Sequence, residues 1–313
     1  MVQDANPMLP AEATAIVGLF LRSRSDFTIA KGATFSDGVS RGLFYWILAR
    51  ALLGSAWRWF SACVASSTAT GDDALTYLGQ SALQRFDRLL RARDAILRQA
   101  QLPPDRDAGD EAIFFLDVAL LMLSGAFDVA ARVAHRAYGV TLDVHLAGWR
   151  RKAWRTSIVA AEPAFGSLLA TGSLVADMLE IVGRLRNTVH GAGLQGIAYS
   201  EGSLLSHENL VQLPAGEHEV VVEAMDRHAG HAAWGVRPLG AGLVALEPDT
   251  FVEALVPRAA VALNALMDAT DVTRLSGVRA DDLPGGPPVD DQLFSASMTR
   301  SVRLLGGLPT CEA

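Results

Sequence analysis

The sequence is poor in cysteine. It has two in 313 residues, Cys63 and Cys311, which lie far apart and at no spacing that suits a metal site. We therefore expect neither a disulfide framework nor a cysteine zinc site, and a reducing compartment is the default. The first short apolar segment also has no basic leader before it, so it does not resemble a secretory signal peptide. These absences predict a cytoplasmic protein.

Charged residues are scarce as well. They make up 19% of the chain, against 50% hydrophobic residues, and the formal net charge is −7. This composition predicts a compact fold with a mildly acidic surface, and it argues against a generally basic nucleic-acid-binding protein. A local basic site stays open, because a few arginines in one cleft can dominate the potential there. Any contact with RNA would therefore be local.

The sequence lacks a charge-free apolar run that is long enough to cross a membrane. The longest apolar stretch, residues 112–134, contains Asp117 and Asp128. Two carboxylates inside the stretch favour a buried core helix over a membrane span, so we expect no membrane association. Metal ligands are sparse too: His228 and His231 flank a glycine without a clear third ligand, which favours a solvated turn. No cofactor or metal is therefore expected.

The apolar periodicity that is present predicts a mainly α-helical protein. Helices are predicted at residues 9–22, 39–66, 72–100, 110–138, 143–156, 167–189 and 251–267, with a short tail helix that ends near residue 305. Gly and Pro clusters separate most of them. The segments 1–38 and 279–313 are interpreted as an N-terminal helix with its lead-in and as a linker with the tail helix.

A change of pattern after residue 190 predicts a small sheet. EHEVVVEAM (217–225) alternates and is β-branched, and AAWGVRPL (232–239) and GLVALEP (242–248) are two further candidate strands. Such segments, joined by glycine-containing turns, are typical of a β-meander. The prediction is thus a helical bundle over residues 39–267, with a β-meander inserted at about 217–248 before the last core helix.

One predicted helix carries a polar seam. At about 100° per residue, Asp117, Ser124, Asp128 and His135 fall on one narrow line of an otherwise apolar helix. A buried carboxylate needs a cation or hydrogen-bond donors, because leaving it unpaired is costly. The seam therefore predicts a polar partner, although a solvent-facing stripe on a half-buried helix explains the pattern equally simply.

The next predicted helix ends in GRLRNTVHGAG (183–193), which could supply that partner. Arg186 and His190 are four residues apart and Asn187 and His190 three, so the three side chains share one face, while Arg184 lies on another flank. The simpler alternative is a stabilised helix C-terminus, in which His190 interacts with the helix dipole and Gly191 provides a left-handed cap.

This segment resembles the signature of HEPN (higher eukaryotes and prokaryotes nucleotide-binding) domains, in which an Arg is followed after four to six residues by a His, often with Asn next to an Arg. Arg184 and His190 have five residues between them, whereas Arg186 and His190 have three. GAFDVAARVAHRAYG (125–139) is similar to the earlier helix of some HEPN families, with Asp128 as its acidic residue. The resemblance covers these two helices and implies a HEPN-like bundle over residues 39–267.

The resemblance implies a metal-independent endoribonuclease, such as a toxin or defence effector, whose composite site is formed by a homodimer. His190 would then be the general acid/base, Arg184 or Arg186 the phosphate clamp, and Asn187 an orienting group. Asp128 would support them, together with the seam residues. RNA is the expected substrate, and an antitoxin or another regulatory protein a further partner. The competing hypothesis is a catalytically silent helical-bundle protein that binds a nucleotide or a partner protein.

Overall fold

The structure, a computed structural model, describes residues 41–284 apart from 103–105, 192, 202–203, 214–215, 217 and 241. The predicted N-terminal helix at 9–22 and the tail helix near 305 lie outside the described residues.

The described chain is mainly helical, as the sequence predicts. Its α-helices are α1 (Arg41–Leu52), α2 (Gly54–Thr70), α3 (Asp73–Gln99), α4 (Arg106–Ala137), α5 (Lys152–Ala161), α6 (Ala164–Leu168), α7 (Leu174–Gly191), α8 (His218–Asp226) and α9 (Pro248–Asp268). Short 3₁₀ turns lie at Val144–Leu146, His231–Trp234, Val272–Arg274 and Ala280–Asp282.

The long helix α4 forms the centre of the bundle. It packs against α3, α7 and α9, and its buried face is lined by small and branched apolar side chains. Leu116, Leu120, Leu123 and Phe127 are almost fully buried there. Each such side chain contributes about 1.5–3 kcal/mol relative to an exposed one. This burial fixes α4, which forms one wall of the candidate site.

The predicted helix at 39–66 is two helices. The backbone breaks at Leu53 (φ −102°, ψ 66°), whose side chain is fully buried at the corner. Asn264 of α9 stabilises the break, because its Nδ2 donates to the Leu52 carbonyl (2.8 Å) and its Oδ1 accepts from the Ser55 amide (3.3 Å). A side chain from the far end of the chain thus satisfies backbone groups that a continuous helix would pair internally.

The small sheet has four antiparallel strands, β1 (Gln195–Glu201), β2 (Leu204–Gln212), β3 (Val236–Gly240) and β4 (Leu243–Leu246), in the order β1-β2-β4-β3. Gln195 pairs with Gln212, Val211 with Leu246 and Val236 also with Leu246. The strand prediction at 242–248 is confirmed in its central part by β4. The prediction at 232–239 is confirmed only in its second half, because His231–Trp234 is a 3₁₀ turn and β3 begins at Val236. The sheet begins earlier than predicted, because the Gly- and Ser-rich segment after α7 forms β1 and β2.

The predicted strand at 217–225 is wrong, because this segment forms helix α8. Its valine run is compatible with a strand, but Val221, Ala224 and Met225 are buried at helical spacing. The helix packs against α7, and the indole of Trp234 donates a hydrogen bond to the Met225 carbonyl at 3.0 Å. Tertiary packing therefore overrides the local preference of β-branched residues.

The predicted helix at 143–156 is also wrong in its first half. Asp143 accepts a hydrogen bond from the His145 amide (2.8 Å), which caps a single 3₁₀ turn, and the chain then runs as a loop to α5. The Trp149 indole holds this loop on α4 by donating to the Phe127 carbonyl at 2.9 Å. We call residues 143–151 the tryptophan loop.

Helices α4 and α9 are long and apolar enough to cross a membrane by length and composition alone. Core helices of soluble proteins meet the same criterion, and much of each helix is buried inside the bundle. The finding is weak evidence for a membrane protein.

Candidate functional site

A cavity of about 250 Å³ opens between α4, α7 and the tryptophan loop. We call it the arginine cleft, because four arginines line it: Arg132 from α4, Arg150 and Arg151 from the loop, and Arg186 from α7. Its other lining residues are Ser124, Phe127, Asp128, His145, Ala147, Gly148, Trp149, Leu179, Val182, Gly183 and Asn187. One carboxylate thus faces four guanidinium groups, in a chain whose net charge is −7.

Arg150 reaches the cleft because α7 has a glycine at position 183. A Cβ at Gly183 would overlap the Arg150 guanidinium, so the arginine lies directly against the backbone of α7. Glu180, one turn earlier, forms an ion pair with Arg150 at 3.4 Å and a second one with Arg184. The side chain of Arg150 is therefore held between a glycine and a carboxylate.

Asp128 is the acidic residue of the arginine cleft. Although it is exposed at the cleft wall, desolvation by the surrounding protein raises its pKa above the ordinary value. The positive charges of Arg132, Arg186, Arg85 and Arg151 oppose this shift. Asp128 consequently interacts with arginines from α3, α4, α7 and the tryptophan loop, and it reduces the repulsion among them.

The structure brings four of the sequence-predicted site residues together. Ser124 and Asp128 of α4 and Arg186 and Asn187 of α7 line the same cleft. Arg186 also donates a hydrogen bond to the Asn187 side-chain oxygen at 3.4 Å. Two residues of the α4 seam and two of the α7 motif therefore lie in the same cleft, as the sequence suggested.

Arg184 and His190 lie outside the cleft lining. Arg184 forms a salt bridge with Glu180 one turn away, and His190 is exposed in the last turn of α7. The helix also ends differently from the expectation: it runs through Gly191, and Gly193 adopts the left-handed conformation (φ 74°) while its amide donates to the Thr188 carbonyl. A histidine before this cap is well placed to interact with the helix dipole.

The other two seam residues, Asp117 and His135, have separate environments. Asp117 is half-buried, burial raises its pKa, and its Oδ1 has no hydrogen-bond partner among the described residues. His135 is buried and accepts a hydrogen bond from the Trp154 indole at its Nδ1 (3.1 Å). The four seam residues therefore do not form one site. Ser124 and Asp128 line the arginine cleft, whereas Asp117 and His135 lie elsewhere along α4.

Sequence reasoning did not single out Arg132, His145, Arg150 or Arg151. The run Trp149-Arg150-Arg151-Lys152 is visibly basic in the sequence. Because a helix was predicted through this segment, however, these side chains were expected to point in different directions around the helix axis. The anchoring of Trp149 on α4 and the space left by Gly183 bring the two arginines to the cleft.

The two histidines at 228 and 231 pair with carboxylates instead of with each other. His228 Nε2 lies 2.8 Å from Asp177, which Arg227 also holds through two nitrogens, and His231 Nδ1 lies 3.1 Å from Asp226. Among residues with described positions, no group of three or more His, Cys, Asp or Glu side chains could hold a metal ion.

The fold and the cleft define a mainly helical protein with a small antiparallel sheet and an arginine-lined cavity. No protein-family model, no curated protein and no solved structure matches this chain. The HEPN-like identity stays a prediction that rests on the residues of α4 and α7.

Proposed function

We propose that the arginine cleft binds the phosphodiester backbone of RNA. The observation that supports this proposal is the convergence of four arginines from three separate elements on one open cavity, in a protein with an acidic net charge. Guanidinium groups bind phosphate oxygens through paired hydrogen bonds and stay protonated at any physiological pH. Ser124 and Asn187 add neutral hydrogen-bonding groups to the same wall.

We further propose that the bound RNA is cleaved without a metal ion, in the manner that the HEPN resemblance implies. The ribose 2′-OH would attack the adjacent phosphate, which requires proton transfer and stabilisation of the added negative charge. Arg186 is the better candidate for the phosphate clamp, since Arg184 is engaged by Glu180. His190 would be the general acid/base of a composite site, to which a second protomer contributes.

A second candidate function is binding without chemistry. It is favoured by the position of His190, which is exposed and does not line the cleft. In that case the arginines would hold a nucleotide or the phosphates of RNA, and the α7 histidine would stabilise a helix end. The two functions predict the same contacts for Arg132 and Arg186 but differ in whether a product forms.

Incubation of purified protein with a single-stranded RNA in EDTA separates them. For the nuclease, we expect products with 2′,3′-cyclic phosphate ends from the wild type, and a loss of at least about 100-fold in rate for His190→Ala. Arg184→Gln is the matched control, and it should retain most activity if Arg186 is the clamp. RNA binding without products would leave the silent binder. The absence of RNA binding would reject the nuclease and leave only nucleotide binding for the second candidate.

A further inference from the structure

Arg85 of α3 reaches across to α4 at the edge of the arginine cleft. A Cβ at Gly125 would overlap the Arg85 guanidinium, so the arginine lies directly against the α4 backbone at that position. Its Nε donates a hydrogen bond to Ser81 Oγ at 3.1 Å, one turn earlier in α3. The residue is partly exposed to solvent. Arg85 thus has the same arrangement on α4 that Gly183 gives Arg150 on α7.

Gly125 places this guanidinium beside the wall of the cleft. Ser124 and Asp128, which precede and follow Gly125 on α4, both line the cleft. Gly125 and Asp128 are three residues apart and therefore share one face of the helix. In agreement with this placement, the positive charge of Arg85 opposes the rise in the pKa of Asp128 that desolvation causes. Arg85 therefore lies at the rim of the cleft, although it does not line the cavity itself.

The arginines around Asp128 lack the partners that other arginines of the bundle have. Arg136, for example, forms a salt bridge with Asp72. The four arginines whose charges act on Asp128 form no salt bridge within the described residues: Arg85, Arg132, Arg151 and Arg186. One carboxylate among four guanidinium groups leaves a net positive charge, and a bound polyanion would relieve the repulsion among them.

The points where these arginines meet α4 are spread along the helix. Gly125, against which Arg85 lies, precedes Arg132 by seven residues. At 1.5 Å per residue the two points are about 10 Å apart along the axis, with Asp128 between them. Arg85 and Arg132 therefore suit two separate phosphates of one strand better than the oxygens of a single phosphate.

We propose that Arg85 forms a second phosphate site at the rim of the arginine cleft, occupied by the same RNA strand. The proposal rests on the proposed RNA binding in the cleft. One phosphate contacts Arg132 and Arg186 inside the cleft, and another phosphate of the strand contacts Arg85 over Gly125. The protein consequently selects strands that have at least two phosphates over ligands that have one.

A comparison of strand lengths tests the second site. Oligouridylates with 2′-O-methyl riboses cannot be cleaved by 2′-OH attack, so their binding is measured without chemistry. An unlabelled dimer, with one phosphate, and an unlabelled trimer, with two, each displace a fluorescein-labelled dodecamer of the same chemistry, and fluorescence anisotropy follows the displacement. At low salt we expect the wild type to bind the trimer about tenfold more tightly than the dimer, since the trimer adds one charge-assisted contact.

Arg85→Gln is the informative variant. It should reduce trimer affinity about tenfold and leave dimer affinity within about twofold of the wild type. Gly125→Ala should have the same effect with Arg85 still present, because the new Cβ displaces the guanidinium. Arg58→Gln is the matched control, since it removes the same charge from an exposed arginine at a separate cavity beside the end of α9. It should bind both probes as the wild type does.

The outcomes distinguish the second site from the cleft itself. Equal binding of dimer and trimer by the wild type, or unchanged trimer binding by Arg85→Gln, would overturn the second site. The cleft proposal would survive that result if Arg186→Gln weakens both probes. Failure of the wild type to bind any strand, the labelled dodecamer included, would reject RNA binding in the cleft and the second site together.

Discussion

Gly183 decides where Arg150 lies. Its substitution by Ala suits the interior of α7 and gains about 1 kcal/mol of helix propensity, but the new Cβ would displace the Arg150 guanidinium. We therefore expect Gly183→Ala to weaken RNA binding about three- to tenfold without loss of thermal stability, as Arg150→Gln should also do. Gly191→Ala, in the same helix with open space around it, is the control and should bind as the wild type. Unchanged binding by Gly183→Ala would remove Arg150 from the site.

Asp177 makes folding sensitive to acid. Burial raises the pKa of this carboxyl, but hydrogen bonds from Arg227 and His228 outweigh the burial, so the pKa is lowered overall. A lowered pKa stabilises the fold above the unfolded value of about 3.9, and the contribution is lost as the pH falls through the folded value. In urea denaturation, Asp177→Asn should cost about 2 kcal/mol or more at pH 7 and less at pH 3.

Glu223→Gln is the control for that experiment, because Glu223 contacts the same arginine from an exposed position. Its effect on the free energy of unfolding should stay within about 0.5 kcal/mol at both pH values. Equal losses for Asp177→Asn at pH 7 and pH 3 would contradict the ionic origin of its contribution.

At the scale of elements, the corner between α1 and α2 depends on α9. Asn264→Ala removes both hydrogen bonds at the break and should cost about 1–3 kcal/mol in the free energy of unfolding, measured with urea. Val261→Ala changes an exposed residue of the same helix and should cost less than about 0.5 kcal/mol. Similar losses for both variants would mean that the side-chain amide of Asn264 does not stabilise the corner.

The elements also show which parts of the fold a sequence can predict. Local signals sufficed for α3, where Asp72 accepts from the Ala74 amide as an N-cap, and for the long apolar helix α4. They failed for α8, since three consecutive valines suit a strand and packing against α7 decides otherwise. They failed again in the tryptophan loop, where an indole bonded to a distant carbonyl replaces half of a helix.

The residues of the candidate site also differ in whether the sequence alone could predict them. Helical spacing predicted that Asp128 shares a face with Ser124, and Arg186 with Asn187. In the structure all four line one cleft. Arg150 and Arg151 could not be found from spacing, because their positions depend on Trp149 and Gly183, which act across elements. Even on regular helices the prediction was partial, because Asp117, His135, Arg184 and His190 lie outside the cleft and Arg132 of α4 was not singled out.

For the whole molecule, the basic charge is carried almost entirely by arginine, since lysine occurs at positions 31 and 152 alone. If the four cleft arginines contact phosphates of single-stranded RNA, log K should fall with log salt at a slope of about −2 to −3. Arg186→Gln should make this slope shallower by about 0.7. The measurement is fluorescence anisotropy with labelled RNA between low and physiological salt. A slope near zero would contradict phosphate contacts in the cleft.

The corner at Leu53 has a consequence for the order of events during synthesis. Its backbone groups are satisfied by Asn264, which is 209 residues away from Ser55 along the chain, and the Trp59 indole bonds to the similarly distant Met267 carbonyl. At usual translation rates, the ribosome needs on the order of 10 to 40 s to make the intervening chain. During that interval α1 and α2 emerge without the helix that completes their junction, so the corner at Leu53 reaches its final hydrogen bonding only after α9 has been synthesised.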